Sequence, residues 1–119
     1  MNYPWLDEYM LSKKSVIKEF KAEWETYRFM LLDKMVGLYS VDSDGRNVIT
    51  LKCNPQFGGM LRENYKDIRP GYHMNKVHWN SVDLNGNTPD DILKQMIDSS
   101  YDLIFAAHTK KVQKEILSE

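Results

Sequence analysis

The side chains best suited to bind a ligand in this chain are basic or aromatic residues between positions 34 and 78. They are Lys34, Lys52, Arg69, Tyr72, Lys76 and His78. Ammonium and guanidinium groups bind phosphates and a tyrosine ring stacks on a base, so this set predicts a nucleic-acid contact if one sheet face carries it. The alternative is a set of scattered surface cations with carboxylate neighbours.

The spacing of histidine and cysteine does not favour a metal site. His73 and His78 are five residues apart, so an uninterrupted strand would point them to opposite faces. Cys53 has no partner at ligand spacing, and neither a Cys-x-x-Cys nor a His-Glu-x-x-His pattern occurs. We therefore expect no metal and no cofactor.

The patterns of covalent catalysis are also missing from the sequence. There is no Gly-x-Ser-x-Gly elbow, and Cys53 alternates with Ile49 and Leu51, which is typical of a small buried residue. Gly58 and Gly59 are not followed by the Lys-Ser or Lys-Thr of a phosphate-binding loop. We expect a binding protein rather than an enzyme.

The charge balance excludes strongly basic nucleic-acid binders. Sixteen Lys and Arg residues stand against seventeen Asp and Glu, a net charge of −1. Residues 28–78 nevertheless carry eight basic and five acidic side chains. Because so few phosphates could be neutralised, any DNA binding should be weak and salt-sensitive.

The chain has no readable membrane span or targeting segment. Its longest apolar run, 103–107, has five residues, whereas about 18 are needed to span a bilayer. Acidic residues at positions 7 and 8 precede any apolar stretch, and a single cysteine fits a reducing compartment. We expect one domain over residues 1–119, cytoplasmic, as a monomer or weak dimer.

Hydrophobic periodicity predicts helices alternating with strands. Strands are predicted at 27–32, 35–41, 47–53 and 77–84, with extended or turning chain around 69–72. Helices are predicted after an Asn2 cap, from Asn54 to about Tyr65, and from a Thr88 cap to about residue 107. Residues 16–25 receive no element. Strands joined by hairpins predict an α+β fold of two layers, an antiparallel sheet with helices on one face, in the order α-β(3)-α-β(2)-α.

Two of these elements carry residues with expected structural roles. In the strand near residue 79, Lys76 and His78 share one face and Trp79 lies on the other, so we expect Trp79 to fill the core. On the last helix, Ser100 is expected to allow close approach to the sheet, and Tyr101 to form a hydrogen bond at the core edge.

Five segments occur in a characteristic order along the chain. They are KMVGL (34–38), VITLKCNP (48–55), PGY (70–72), NKVHWN (75–80) and SSYDL (99–103). Together they resemble the MmcQ/YjbR family of small bacterial proteins. The family-motif residues with structural roles are Pro70, Gly71, Asn75, Trp79, Ser100 and Tyr101.

This resemblance implies both a fold and a function. The fold would be like that of CyaY, the bacterial frataxin, and of secretion chaperones. The function would be DNA binding, through hairpins likened to a double wing. One departure is Lys13-Lys14-Ser15, which stands where the family has a Pro-Gly turn and leaves the end of the first helix undefined.

Two functions from different classes follow. One is a non-enzymatic DNA-binding module that uses its sheet face and hairpins. The other is a protein-binding or small-ligand adaptor that presents some of its 14 aromatic residues on an exposed sheet face. A continuously positive open face would favour DNA, and an apolar or mixed face would favour the adaptor.

Overall fold

The computed structural model describes residues 1–71 and 74–119, which form four helices and six strands. The helices are α1 (Leu6–Leu11), α2 (Pro55–Asn64), α3 (Asp90–Ala107) and α4 (Lys110–Leu117). The strands are β1 (Val16–Lys21), β2 (Thr26–Leu31), β3 (Lys34–Val41), β4 (Asn47–Lys52), β5 (Ile68–Pro70) and β6 (Trp79–Asp83). The predicted α+β class is confirmed, and the observed order adds one strand, β1, and one helix, α4.

The strands form one antiparallel sheet in the order β1-β2-β3-β4-β6-β5. One edge is the six-residue β1 and the other is the three-residue β5. Pro70 at the end of β5 suits an edge strand, because proline has no N–H to donate to a further neighbour. None of the helices in the described residues is long and apolar enough to cross a membrane.

The first strand lies in residues 16–25, where the sequence predicts no element. Its period-two pattern is hidden because Lys18 and Glu19 stand mid-strand, each in an ion pair with another element or strand. Ser15, just before it, has a φ of 67°, in the left-handed region that glycine usually occupies. The chain therefore turns from α1 into β1 without the Pro-Gly pair of the resembled family.

Helix starts agree with the sequence at α2 but not at α1 or α3. The Asn54 side chain caps α2, accepting a hydrogen bond of 2.8 Å from the backbone three residues on. The predicted cap at Asn2 is wrong, because α1 begins at Leu6. The predicted cap at Thr88 is also wrong, because Pro89 holds the cap position of α3.

The core lies between the sheet and the helices, on one face of the sheet. Every helix contributes at least one buried side chain to it, so all four pack on the same side. Its fully buried larger members include Leu6, Met10, Phe29, Ile49, Leu51, Leu61, Leu93, Met96 and Ile97. Cys53 is also buried, as its alternation with Ile49 and Leu51 predicts.

Ser100 joins α3 to the two central strands. The register of β2 on β3 shifts at Phe29 and Met30, which leaves Val36 without a partner on β2. The Ser100 hydroxyl donates to the Val36 carbonyl at 2.7 Å and accepts from the Lys52 amide at 3.0 Å. A small polar side chain thus satisfies two backbone groups at the bulge and holds the helix close to the sheet.

Replacing Ser100 with alanine tests this joint. Ser100→Ala removes both bonds while leaving the Val36 carbonyl buried, so the free energy of unfolding should fall by about 2 kcal/mol. Urea denaturation followed by circular dichroism measures the loss. The control is Ser99→Ala, which changes a half-buried neighbour on the same helix. Equal stability of the two variants would contradict the assigned role.

The glycine pair of α2 provides a second, matched test. A Cβ at Gly58 would lie 2.7 Å from Asn80 Nδ2, whereas a Cβ at Gly59 would have no atom within 4 Å. Gly59→Ala should therefore stabilise the protein by about 0.5–1 kcal/mol, the usual gain in a helix interior. Gly58→Ala should instead destabilise it by roughly 1–3 kcal/mol through overpacking. Thermal unfolding measures the stability of both variants. A higher stability in both would refute the close packing of α2 on Asn80.

Candidate binding site on the open face of the sheet

The face of the sheet opposite the helices, here called the open face, carries its own continuous set of side chains. Directly paired residues of antiparallel strands lie on the same face, alternating with the residues that enter the core. One such row crosses all six strands through Glu19, Arg28, Leu38, Thr50, Ser81 and Arg69. No helix within the described ranges packs on this face.

The centre of the open face is nonetheless buried. Its floor consists of Met30, Leu38, Val48, Thr50 and Ser81. Val48 is only 2% exposed and Thr50 is fully buried, and the Thr50 and Ser81 hydroxyls share a hydrogen bond of 2.7 Å. Longer side chains must overhang these residues, so the open face is concave.

A groove of about 950 Å³ runs along one end of this floor. Its wall is mainly apolar and includes Met1, Trp24, Leu38, Val48, Met74 and Leu84. A volume of this size is typical of sites that hold small molecules. Burial of the floor and the apolar wall together make this groove the candidate site.

The polar groups of the groove are few. Among its described lining residues, Glu25 is the only one with a charged side chain. The Ser40 hydroxyl in the wall is buried and has no hydrogen-bond partner among the described residues. Tyr39 borders the groove, but its side chain lies on the helix side of the sheet, where its hydroxyl donates to Asp7 of α1 and where burial and that carboxylate raise the pKa of Tyr39. The tyrosine therefore stays neutral at physiological pH.

Trp24 forms one end of the groove and is held by two cations. Lys21 Nζ lies 5.7 Å and the Arg28 guanidinium 5.5 Å from the centre of its ring. Both cations are also ion-paired, Lys21 with Glu23 at 3.2 Å and Arg28 with a carboxylate on β1. Their charge is thus neutralised beside the tryptophan.

The predicted basic strip is not assembled as one surface. Lys34 pairs with Leu31, a core residue, and so lies on the helix side of the sheet. Lys52 is on the open face, opposite Trp79. Arg69 is also on the open face, but its guanidinium is 3.0 Å from Asp44.

Two further members of that set, Lys76 and His78, lie in the turn before β6. Lys76 borders a smaller cleft of about 250 Å³ that it shares with Arg46, Arg69 and several aspartates. His78 is exposed, and its carbonyl accepts a hydrogen bond from the Cys53 amide at 2.7 Å. Tyr72 lies outside the described residues. The open face therefore has mixed charge.

Two expectations about the strand near Trp79 are wrong. β6 begins only at Trp79, so Lys76 and His78 belong to a turn and not to a strand face. Trp79 itself pairs with Lys52 and lies half-buried on the open face, while Asn80 is fully buried on the helix side. The alternation of the two faces was predicted correctly, but the Asn80 amide lies in the core and the Trp79 indole lies on the open face.

A buried polar group explains this arrangement. Arg62 on α2 donates to Asn80 Oδ1 at 2.8 Å and to the Lys76 carbonyl at 3.1 Å. Burial raises the pKa of the Cys53 thiol to about 11, although the Asn80 amide and Arg62 act in the opposite direction. A thiol with this pKa is a poor nucleophile at neutral pH.

Residues of the family motif in this region shape the backbone. The Gly71 amide donates to the Trp79 carbonyl at 2.7 Å, and a Cβ on Gly71 would lie 2.9 Å from the Trp79 Cβ. The Asn75 side chain accepts from the Val77 amide at 2.9 Å, and its carbonyl accepts from the amides of His78 and Trp79. On α3, the Tyr101 hydroxyl donates to the Lys14 carbonyl at 2.9 Å.

His73 lies outside the described residues, and residues 1–71 and 74–119 contain no cluster of three metal-ligating side chains.

Sequence reasoning missed Trp24, Glu25 and Met74 as groove residues. Trp24 and Glu25 belong to the segment that was given no element, and Met74 follows the family motif without being part of it. The available signal was an exposed tryptophan beside a carboxylate in a short turn between two strands.

Comparison with known proteins places the chain among small proteins of the same size. Residues 11–103 match the YjbR family model. The uncharacterized protein YjbR of Escherichia coli K12 is 28% identical over 94 residues, 79% of either chain. The uncharacterized protein YyaQ of Bacillus subtilis is 32% identical over 103 residues, 86% of this chain and 82% of its own.

Solved structures show the same fold. Protein DR2400 of Deinococcus radiodurans superposes with a TM-score of 0.80 at 31% identity, covering 93% of this chain and 84% of its own. A protein from Pseudomonas syringae gives a TM-score of 0.71 at 27% identity, over 87% of this chain and 99% of its own. The likeness to CyaY and secretion chaperones remains an expectation from the sequence. With a family match over well more than half its length, the chain belongs to the YjbR family.

Proposed function

We propose that this protein is a non-enzymatic binding module that holds an apolar ligand in the groove on the open face of its sheet. The observation that carries the proposal is the buried, concave floor, which continues into a groove of about 950 Å³ with a mainly apolar wall. Concave apolar sites with a few polar groups are the usual form of ligand-binding sites.

The charge of the open face supports an adaptor over a nucleic-acid binder. Arg28 and Arg69 are ion-paired with carboxylates, and Arg46 contacts both Asp42 and Asp44. A phosphate would have to compete with these carboxylates for each guanidinium. The aspartates and the glutamate on this face would also repel a polyanion.

Nucleic-acid binding is the second candidate, and a specific observation favours it. Lys52, Lys76 and His78 form no ion pair with any carboxylate of the described residues. Lys52 lies beside Trp79, so a phosphate and a base could be bound together there. Three groups of this kind would give weak, salt-sensitive binding, because few phosphates are neutralised and each contact weakens as salt rises.

A fluorescent probe tests the primary proposal. Nile red is uncharged and brightens in apolar surroundings, so its emission should rise on titration with the protein. Trp24→Ser should weaken this binding by roughly 3- to 10-fold, because an aromatic contact is lost. Phe20→Ser is the matched control: Phe20 is similarly exposed on the same hairpin but packs on Tyr27 on the other face of the sheet. No brightening, or an equal loss in both variants, would refute the groove as the site.

A parallel titration tests the second candidate. Labelled single-stranded and duplex oligonucleotides of about 20 nucleotides per strand are titrated with the protein at roughly 50 mM and 500 mM salt, and fluorescence anisotropy measures binding. Lys52→Gln and Lys76→Gln should weaken any binding if this candidate is correct. Lys110→Gln and Lys111→Gln, on the exposed side of α4, serve as controls. Binding lost only in the first pair, with no Nile red binding, would replace the adaptor by the nucleic-acid function.

A further inference from the structure

The charged side chains at the Trp24 end of the groove differ in whether they form ion pairs. Residues 19–28 of the β1–β2 hairpin carry three carboxylates, Glu19, Glu23 and Glu25, and two cations, Lys21 and Arg28. Lys21 is paired with Glu23 and Arg28 with Glu19. Within the described part of the chain, Glu25 is left as the carboxylate of this hairpin without an ion pair, and it lines the groove.

The surroundings of Glu25 suit a positive charge. Trp24 lines the same groove, and the faces of aromatic rings attract cations. The two cations nearest Trp24 are neutralised by their own carboxylates, so they would not repel an incoming cation at full strength. Among the described lining residues no side chain is cationic, so an anionic ligand would meet the Glu25 carboxylate with only the α-ammonium of Met1 to offset it.

The backbone conformation of Glu25 is unusual for a glutamate. Glu25 has a φ of 52°, in the left-handed region, where a glutamate is less stable than glycine by about 1 kcal/mol. The turn would therefore be more stable with glycine. A glutamate in this conformation keeps a carboxylate at the groove despite a cost to the fold.

We propose that the groove selects a small amphiphilic organic cation, whose apolar body packs on the Leu38 and Val48 floor and whose ammonium group lies beside Glu25. This inference rests on the proposed binding function and specifies the ligand class for that same groove. The groove volume fits a small molecule rather than a long segment of a partner protein. The charge of Glu25 separates amines from neutral and acidic molecules of the same shape.

Three probes of one shape and different charge test the selection. They are 1-naphthylmethylamine, a cation, 1-naphthalenemethanol, which is neutral, and 1-naphthoate, an anion. Affinities come from isothermal titration, and the site from ¹⁵N–¹H chemical-shift mapping around residues 24–26 and 38–41. The amine should bind roughly 3- to 5-fold more tightly than the alcohol, the range of an exposed charge pair, and the naphthoate should bind most weakly. The advantage of the amine should shrink at high salt.

Variants separate charge from folding. Glu25→Gln should bring the amine to the affinity of the alcohol and leave the alcohol unchanged. Glu25→Gly should do the same while unfolding at an equal or higher temperature, because its left-handed φ is relieved. Glu23→Gln, which changes a carboxylate already paired with Lys21, should preserve the preference for the amine.

The outcomes distinguish this inference from the proposed function beneath it. If the amine and alcohol bind equally and Glu25→Gln changes neither, the charge selection is overturned while the groove remains a binding site. If naphthoate binds best, the selection is also overturned. If none of the three probes shifts the groove resonances, both the selection and the proposed function fail.

Discussion

One-sided packing is the constraint on which this structure depends. All four helices place their buried side chains on the same face of a six-stranded sheet, so every strand has one face in the core and one face on which no helix of the described residues packs. The core alone must then hold the sheet in shape. The bulge at Val36 and its bond to Ser100 keep the longest helix against the central strands, and Val48 and Thr50 are buried even on the side where no described helix packs.

The concave face and the core are linked by a polar contact at α2. Arg62 crosses from the helix to Asn80 in β6 and to the carbonyl of Lys76, so it fixes the end of the loop that also contains Met74. Asn80 could not be replaced by an apolar residue without leaving the guanidinium with one partner fewer in a partly buried position. A buried amide on the helix side thereby determines that Trp79, its neighbour in sequence, lies on the open face.

The positions of Asn80 in the core and Trp79 on the open face show what could be predicted from the sequence and what could not. The alternation of β4 and the Asn54 cap of α2 are local patterns, and both were predictable from residue type and spacing. In β6 the alternation was also clear, but apolar character favoured Trp79 for the core. The partner of Asn80 is Arg62, eighteen residues away, and such a contact has no local signature. The edge strand β1 was missed for a related reason, because Lys18 and Glu19 find partners on α1 and β2 that only the fold supplies.

The charges of the open face could not be predicted from the sequence either, because electrostatic interactions in salt reach only nearby groups. At about 0.1 M salt the screening length is roughly 10 Å, so a ligand senses the nearest few side chains and not the net charge of −1. Counting cations along the sequence therefore suggested a basic strip, but the fold places Lys34 on the helix side of the sheet and Arg69 beside Asp44. The same pairing that removes positive charge from the centre of the face leaves Glu25 as the charged side chain among the described residues of the groove. Recognition by this protein then depends on which charges the fold has already neutralised.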